Sequence, residues 1–320
     1  MAHHLTIASN GVAEMAYTGE TPWHGLGQHL QLGASIEEWQ LAAGMAWNIE
    51  RSPVQYQNGS LHTWKENEVL YRSDTNMPLA LVSKDYCVVQ PSAVLEFFRD
   101  LTTEHGFTIE TAGTLKGGRR MWALARTNFE EEVVPNDSIR TYLLLYTSCD
   151  KGLSTNSFFT SIRAVCNNTL QMCLDESMPS TRVSVRHNTE FNPNSVKMTL
   201  GLNAGEVFTG FMSKMKTYAN VSLSGAQAQE IIEQMFLDKG AKGLIRNKRG
   251  FQTVMQLFNG TGKGAQLDGV AGTGWGLVNA VTEYVDFYAP ARQPENRLNN
   301  AWFGPGRDLK QSIVQLVDAY

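Results

Sequence analysis

Arg120, Trp122 and Arg126 sit at even spacings in Arg120-Met121-Trp122-Ala123-Leu124-Ala125-Arg126, a pattern that fits a strand. On a pleated backbone Arg120, Trp122, Leu124 and Arg126 share one face, and Met121, Ala123 and Ala125 the other. Two guanidinium groups beside an indole suit a single nucleic-acid strand: the cations neutralise phosphates while an unstacked base lies on the ring. Lys116 and Arg119 add positive charge at the hairpin-turn signal Lys116-Gly117-Gly118. The same residues also fit a Trp122 that faces the core, with its arginines paired to Glu130, Glu131 and Glu132.

Further cations follow. In Thr181-Arg182-Val183-Ser184-Val185-Arg186 the two arginines fall on one side of a short strand, about 13 Å apart at the usual rise. They can track a phosphate backbone or guard an edge strand by charge. Residues 161–174 read as a helix, with Ile162, Cys166, Leu170 and Cys173 on its apolar face and Arg163, Asn167 and Gln171 in a polar stripe. That stripe offers groups for phosphates and base edges and equally fits a solvated face. Lys239, Lys242, Arg246, Lys248 and Arg249 lie among glycines, as a salt-sensitive phosphate attractor or as plain solvated surface.

Signals for catalysis are weak. Asn259-Gly260-Thr261-Gly262-Lys263-Gly264 lacks the spacing of a phosphate loop. His24 and His29 have no Cys or acidic partner at ligand spacing, and the run Glu130–Glu132 beside Pro135-Asn136-Asp137 reads as a solvated loop. Cys87, Cys149, Cys166 and Cys173 form no CxxC pair and read as core fillers. Neither a metal site nor a cofactor is expected.

The elements that must position these groups are legible in outline. Ser35 caps a helix over 36–45, with Glu37 and Glu38 in its first turn. Strands are expected at 47–57, 68–73 and 79–89, a helix opened by Pro91 to 103, and strands at 107–115, 119–128 and 140–148. Beyond Pro193 the pattern is helical: 195–219, 225–238, 247–259, 274–288 and 307–319. A strand-rich first half with an antiparallel sheet and hairpin, followed by a helical second half, argues for an α+β fold. The expected division is a sheet-containing core over 1–190 and a helical region over 191–320 packed on it.

Composition fits a globular chain. Its 320 residues are 42% hydrophobic and 18% charged, with a net charge of −4. The charge is uneven: residues 1–110 carry five basic and thirteen acidic side chains, residues 180–250 ten and five. A basic middle can bind a polyanion whatever the total charge. No apolar run approaches the roughly 20 residues that span a bilayer, and the N-terminus lacks a signal-peptide pattern. No membrane partner is therefore expected, and the expected location is the cytoplasm of the host cell.

Four segments together resemble the phage/plasmid-like protein family of domain-of-unknown-function group 932. They are Pro22-Trp23-His24-Gly25-Leu26-Gly27, Val82-Ser83-Lys84-Asp85-Tyr86-Cys87-Val88-Val89-Gln90, Ile162-Arg163-Ala164-Val165-Cys166-Asn167-Asn168-Thr169-Leu170, and Gly274-Trp275-Gly276-Leu277-Val278-Asn279-Ala280-Val281-Thr282-Glu283-Tyr284-Val285-Asp286. The second departs at Asp85, where a basic residue is expected. The resemblance implies origin in a mobile element and transfers no catalytic residue. The order of elements is also similar to the core of ring-forming single-strand annealing proteins of phages. The resulting expectation is a protein that binds single-stranded DNA and anneals it without ATP, as a homo-oligomeric ring or filament. Lys116, Arg119, Arg120, Trp122, Arg126, Arg163, Asn167, Arg182 and Arg186 would line its groove. The alternatives are a metal-dependent nuclease and a host-interaction or anti-defence protein.

Overall fold

The computed structural model describes residues 5–8, 11–19, 26–163, 165, 169–171, 182–200, 204–236, 247–290, 300–302 and 304–320. The chain is α+β. Ser35 caps α1 (Ile36–Ala42) through a reciprocal capping box with Glu38, satisfying two of the amide donors a helix start leaves open. Strands β1 (Met15–Tyr17) and β2 (Gln28–His29) precede it. A three-stranded antiparallel sheet follows, from β3 (Ile49–Asn58), β4 (Ser60–Arg72) and β5 (Pro78–Ser83). Pro91 opens α2 (Pro91–Glu96), and α3 (Arg99–Glu104) follows as a second short helix where one was expected.

The large sheet is built from β6 (Thr108–Leu115), β7 (Arg120–Val134), β8 (Asp137–Ser148), β9 (Thr155–Arg163), β10 (Thr169–Gln171) and β11 (Arg182–Val185), with β1 and β2 at one side. Its order is β10-β9-β8-β7-β6-β1-β2, antiparallel except for the β1–β2 pair. β11 and β10 share the outer edge of β9, alongside Thr155–Phe158 and Thr160–Ile162.

The helix expected over 161–174 is not formed where the chain is described: Ser161–Arg163 end β9, and Thr169–Gln171 are β10. Almost every residue of β9 is buried, so the period of two that marks a half-wet strand is missing. Phe158, Phe159 and Thr160 nevertheless favour extended backbone. Among the residues given to that helix, Asn167 lies outside the described residues, as does the segment with His24.

The second half is helical: α4 (Pro193–Thr199), α5 (Ala204–Asn220), α6 (Gly225–Phe236), α7 (Lys248–Gln256), α8 (Gly274–Glu283) and α9 (Pro305–Val317). α8 runs on into a π-helical turn, Tyr284–Tyr288, and α7 into a turn over Leu257–Thr261 that Gly260 breaks at φ +119°. α5 lays Phe208, Phe211, Met212 and Met215 in the core that also holds Met121, Ala123, Leu143, Leu145 and Phe159 of the sheet. α8 is buried on every side, its polar Asn279, Thr282 and Glu283 included. None of the helices, among the described residues, is long and apolar enough to cross a membrane.

The β6–β7 turn is tied to the three-stranded sheet. Gly118, at φ +90°, lies so close to Trp47 that a Cβ would stand 2.7 Å from its ring. Gly118→Ala is expected to destabilise the protein by about 1–3 kcal/mol through backbone strain and overpacking, which urea denaturation would read.

Candidate nucleic-acid interface

The sheet has two covered faces, and the register assigns each candidate that lies in its strands to one of them. Trp122 stands opposite Tyr146, Leu124 opposite Leu144 and Arg126 opposite Tyr142. Beyond β8, Tyr146 pairs with Asn156 and Leu144 with Phe158, which in turn faces Arg182. Arg120, Trp122, Arg126 and Arg182 therefore do share one face. Trp122, however, is 3% exposed, enclosed by Leu115, Leu124, Leu144 and Tyr146 and met edge-on by Trp302 at 5.7 Å. A base cannot stack on an indole sealed in this way. The core-facing alternative holds for this residue.

Other candidates are engaged in the fold. The Arg126 guanidinium pairs with Glu130 at 2.6 Å and lies 3.8 Å from Glu110. Arg163 is on the opposite face, beside Ile139, and 2% exposed. It donates to Asp137 through Nε (2.6 Å) and Nη2 (2.8 Å), and to the carbonyl of Lys263 at 3.0 Å. The Trp275 indole donates to the same carboxylate at 2.8 Å. Arg163 is thus a core residue and not part of a groove. Arg119 reaches the Leu79 carbonyl of β5 at 2.9 Å, and Arg186 stands exposed one residue past β11.

One end of the Trp122 face does gather cations. Arg120 lies 3.8 Å from Asp150, and Arg182 donates twice to the Asn156 side chain, at 3.0 and 2.7 Å. Arg307, in the first turn of α9, joins them. Burial pushes the Tyr146 hydroxyl up, and Arg182, Arg307 and Arg120 pull it back, so all three charges bear on this one group. Lys116, in the adjacent turn, has its ammonium pushed down first by burial and then by Arg120; Asp150 opposes this and Arg119 adds to it. Lys116, Arg120, Arg182 and Arg307 thus gather here with Asp150 and with the Asp308 that pairs with Arg307 at 2.8 Å, while Arg119 turns toward β5. Arg307 escaped sequence reasoning. Its one sequence signal is a cation in a helix's first turn, where the dipole disfavours it.

The other end of the face is balanced. Tyr142 donates to Glu110 at 2.9 Å, and Arg140 meets Glu130 at 3.2 Å. Burial pushes the Glu110 carboxyl above its ordinary range, against the hydrogen bond from Tyr142 and the charges of Arg126 and Arg140. A folded value above the unfolded one contributes stability that is full below the unfolded value and lost as pH rises through the folded one. Glu110→Gln is therefore expected to reduce the stability gained between pH 7 and pH 5, measured by denaturation at each pH.

The acidic run is also occupied: Glu130 by Arg126 and Arg140, Glu131 by Lys216, and Glu132 by the Asn136 amide. Among the described residues no group of three or more His, Cys, Asp or Glu is placed to hold a metal ion. In the glycine-rich loop the Lys263 amide donates to the buried Glu283 carboxylate at 2.9 Å. Of the two described cysteines, Cys149 is buried and its thiol is pushed up to about 12 by burial, consistent with core filling.

Residues 78–302 match the family model of a domain of unknown function (DUF932). No curated protein and no solved structure matches the chain.

Proposed function

The chain belongs to the DUF932 family, and we propose that it is a single-stranded DNA-binding, annealing-type protein of a phage or other mobile element that acts without ATP in the host cytoplasm. The observation that carries this reading is the cationic end of the large sheet, where the register sets Arg120 of β7 and Arg182 of β11 on one face, beside Asp150 and Asn156, and Arg307 of α9 adds its charge. Guanidinium groups bind phosphate oxygens in a fixed, often bidentate geometry. Cations that hold only the backbone leave bases free to pair, and pairing itself drives annealing. With Trp122 enclosed, attraction to phosphates replaces stacking as the source of affinity. Copies are proposed to assemble as a ring or filament along the strand.

Fluorescence anisotropy with mixed-sequence oligonucleotides tests the proposal. Affinity is expected to fall steeply as salt rises from about 50 to 200 mM, as counterion release requires. No binding at micromolar protein, or binding indifferent to salt, would overturn it.

A further inference from the structure

Arg51, Arg99, Arg126 and Arg163 are each held by a carboxylate, at 2.6 or 2.7 Å. Such a pair fixes the guanidinium and cancels its charge at once. Arg182 is held differently. Its Nε and Nη2 donate to the Asn156 side-chain oxygen, at 3.0 and 2.7 Å, and among the described residues no carboxylate pairs with it.

Asn156 is set firmly in the fold. It is 2% exposed on β9, between Tyr146 of β8 and Ser184 of β11 in the register. Its amide nitrogen donates to the Ser154 carbonyl at 2.7 Å, which fixes the oxygen on the side of Arg182. The strand that carries Arg182 is fastened as well. His187, two residues past β11, sets its ring nitrogens 2.9 Å from the Cys87 carbonyl and 3.1 Å from that of Leu153, and lies on the Tyr86 ring at 4.7 Å. Both partners of the Arg182–Asn156 pair are thus held in place from outside the pair.

The amide is the informative choice. Asp has the shape of Asn, and its ionised oxygen would accept the same two hydrogen bonds at roughly twice the strength. Three cations, Arg120, Arg182 and Arg307, bear on this end of the sheet and would favour a carboxylate further. The neutral side chain orients the guanidinium and leaves its positive charge whole. A guanidinium has five N–H donors, and Asn156 takes two of them. We propose that Asn156 is a positioning residue, which aims Arg182 at a phosphate oxygen without neutralising it. The inference rests on the phosphate-binding reading of the cationic end and deepens it. A cation held in the fold by an uncharged partner is left for a ligand to neutralise.

Asn156→Asp tests this on the full chain. Its thermal midpoint is expected to equal or exceed that of the unaltered protein, because the hydrogen bonds stay and gain charge. Its affinity for a mixed-sequence single-stranded oligonucleotide is expected to fall at least about tenfold at about 0.1 M salt. The slope of log affinity against log salt is expected to fall by about 0.7, the share of one phosphate contact. A variant that binds as tightly as the unaltered protein overturns the inference and leaves the DNA proposal standing. A variant with a lower midpoint also overturns it, since burial alone would then account for the neutral side chain. If neither protein binds the oligonucleotide, the DNA proposal falls, and sodium pyrophosphate at matched ionic strength decides the inference. A rise in midpoint that is larger for the unaltered protein than for Asn156→Asp upholds Asn156 as part of a phosphate site. Equal rises, or none, overturn that as well.

Discussion

Asp137→Ala is expected to destabilise the protein by about 3–5 kcal/mol, the usual cost of leaving a buried charge without its partner. Asp137 is wholly buried at the start of β8 and accepts from Arg163 twice and from the Trp275 indole once. Its removal strands a guanidinium that is 2% exposed, in an interior where water cannot replace the lost carboxylate. At roughly 2–4 °C per kcal/mol the melting midpoint falls by about 6–20 °C, visible by circular dichroism. Replacing both charges, as Asp137→Leu with Arg163→Met, is expected to recover only part of the loss. Apolar isosteres spare the desolvation of two ions, but the Lys263 carbonyl then loses its donor, at about 1–3 kcal/mol. A double variant as unstable as the single one would show that the cost is lost packing and not the unpaired charge.

Arg120→Ala/Arg182→Ala/Arg307→Ala is expected to reduce affinity for a single-stranded oligonucleotide at least roughly a thousandfold near 0.1 M salt. Three charge-assisted contacts at about 1.5–3 kcal/mol each lead to that scale. The slope of log affinity against log salt is expected to fall by about 2, since each phosphate contact on a single strand carries about 0.7. Arg126→Ala is the control. It lies on the same face but pairs with Glu130 and neighbours Glu110, so the slope is expected to stay unchanged. Equal effects from the two variants would mean general loss of positive charge and not a located site.

Residues that speak to their immediate neighbours could be read in advance. Ser35 as a helix cap, Pro91 at a helix start and the Lys116-Gly117-Gly118 turn all stand as the sequence predicts, because capping and turn chemistry are local. Residues whose role depends on what lies across the sheet could not be read in the same way. Alternation correctly puts Arg120, Trp122 and Arg126 on one side, but it cannot say that this side is covered too; Trp302, which meets Trp122, is 180 positions away. Asp137 follows Pro135-Asn136 and looks like part of a solvated turn, yet the left-handed Asn136 turns the chain so that Asp137 starts β8 inside the protein. β9 is not legible in the sequence, which gives no strand over 155–160 and a helix from 161, because burial on both faces removes the alternation that reveals a strand. The cationic end was found only in part, since Arg307 reaches it from the last helix.

The contact of Gly118 with Trp47, beneath Arg72, has a mechanical consequence. It leaves no slack between the hairpin tip of the large sheet and the base of β4, so a twist of the three-stranded sheet is passed to the large one instead of being absorbed in a hinge.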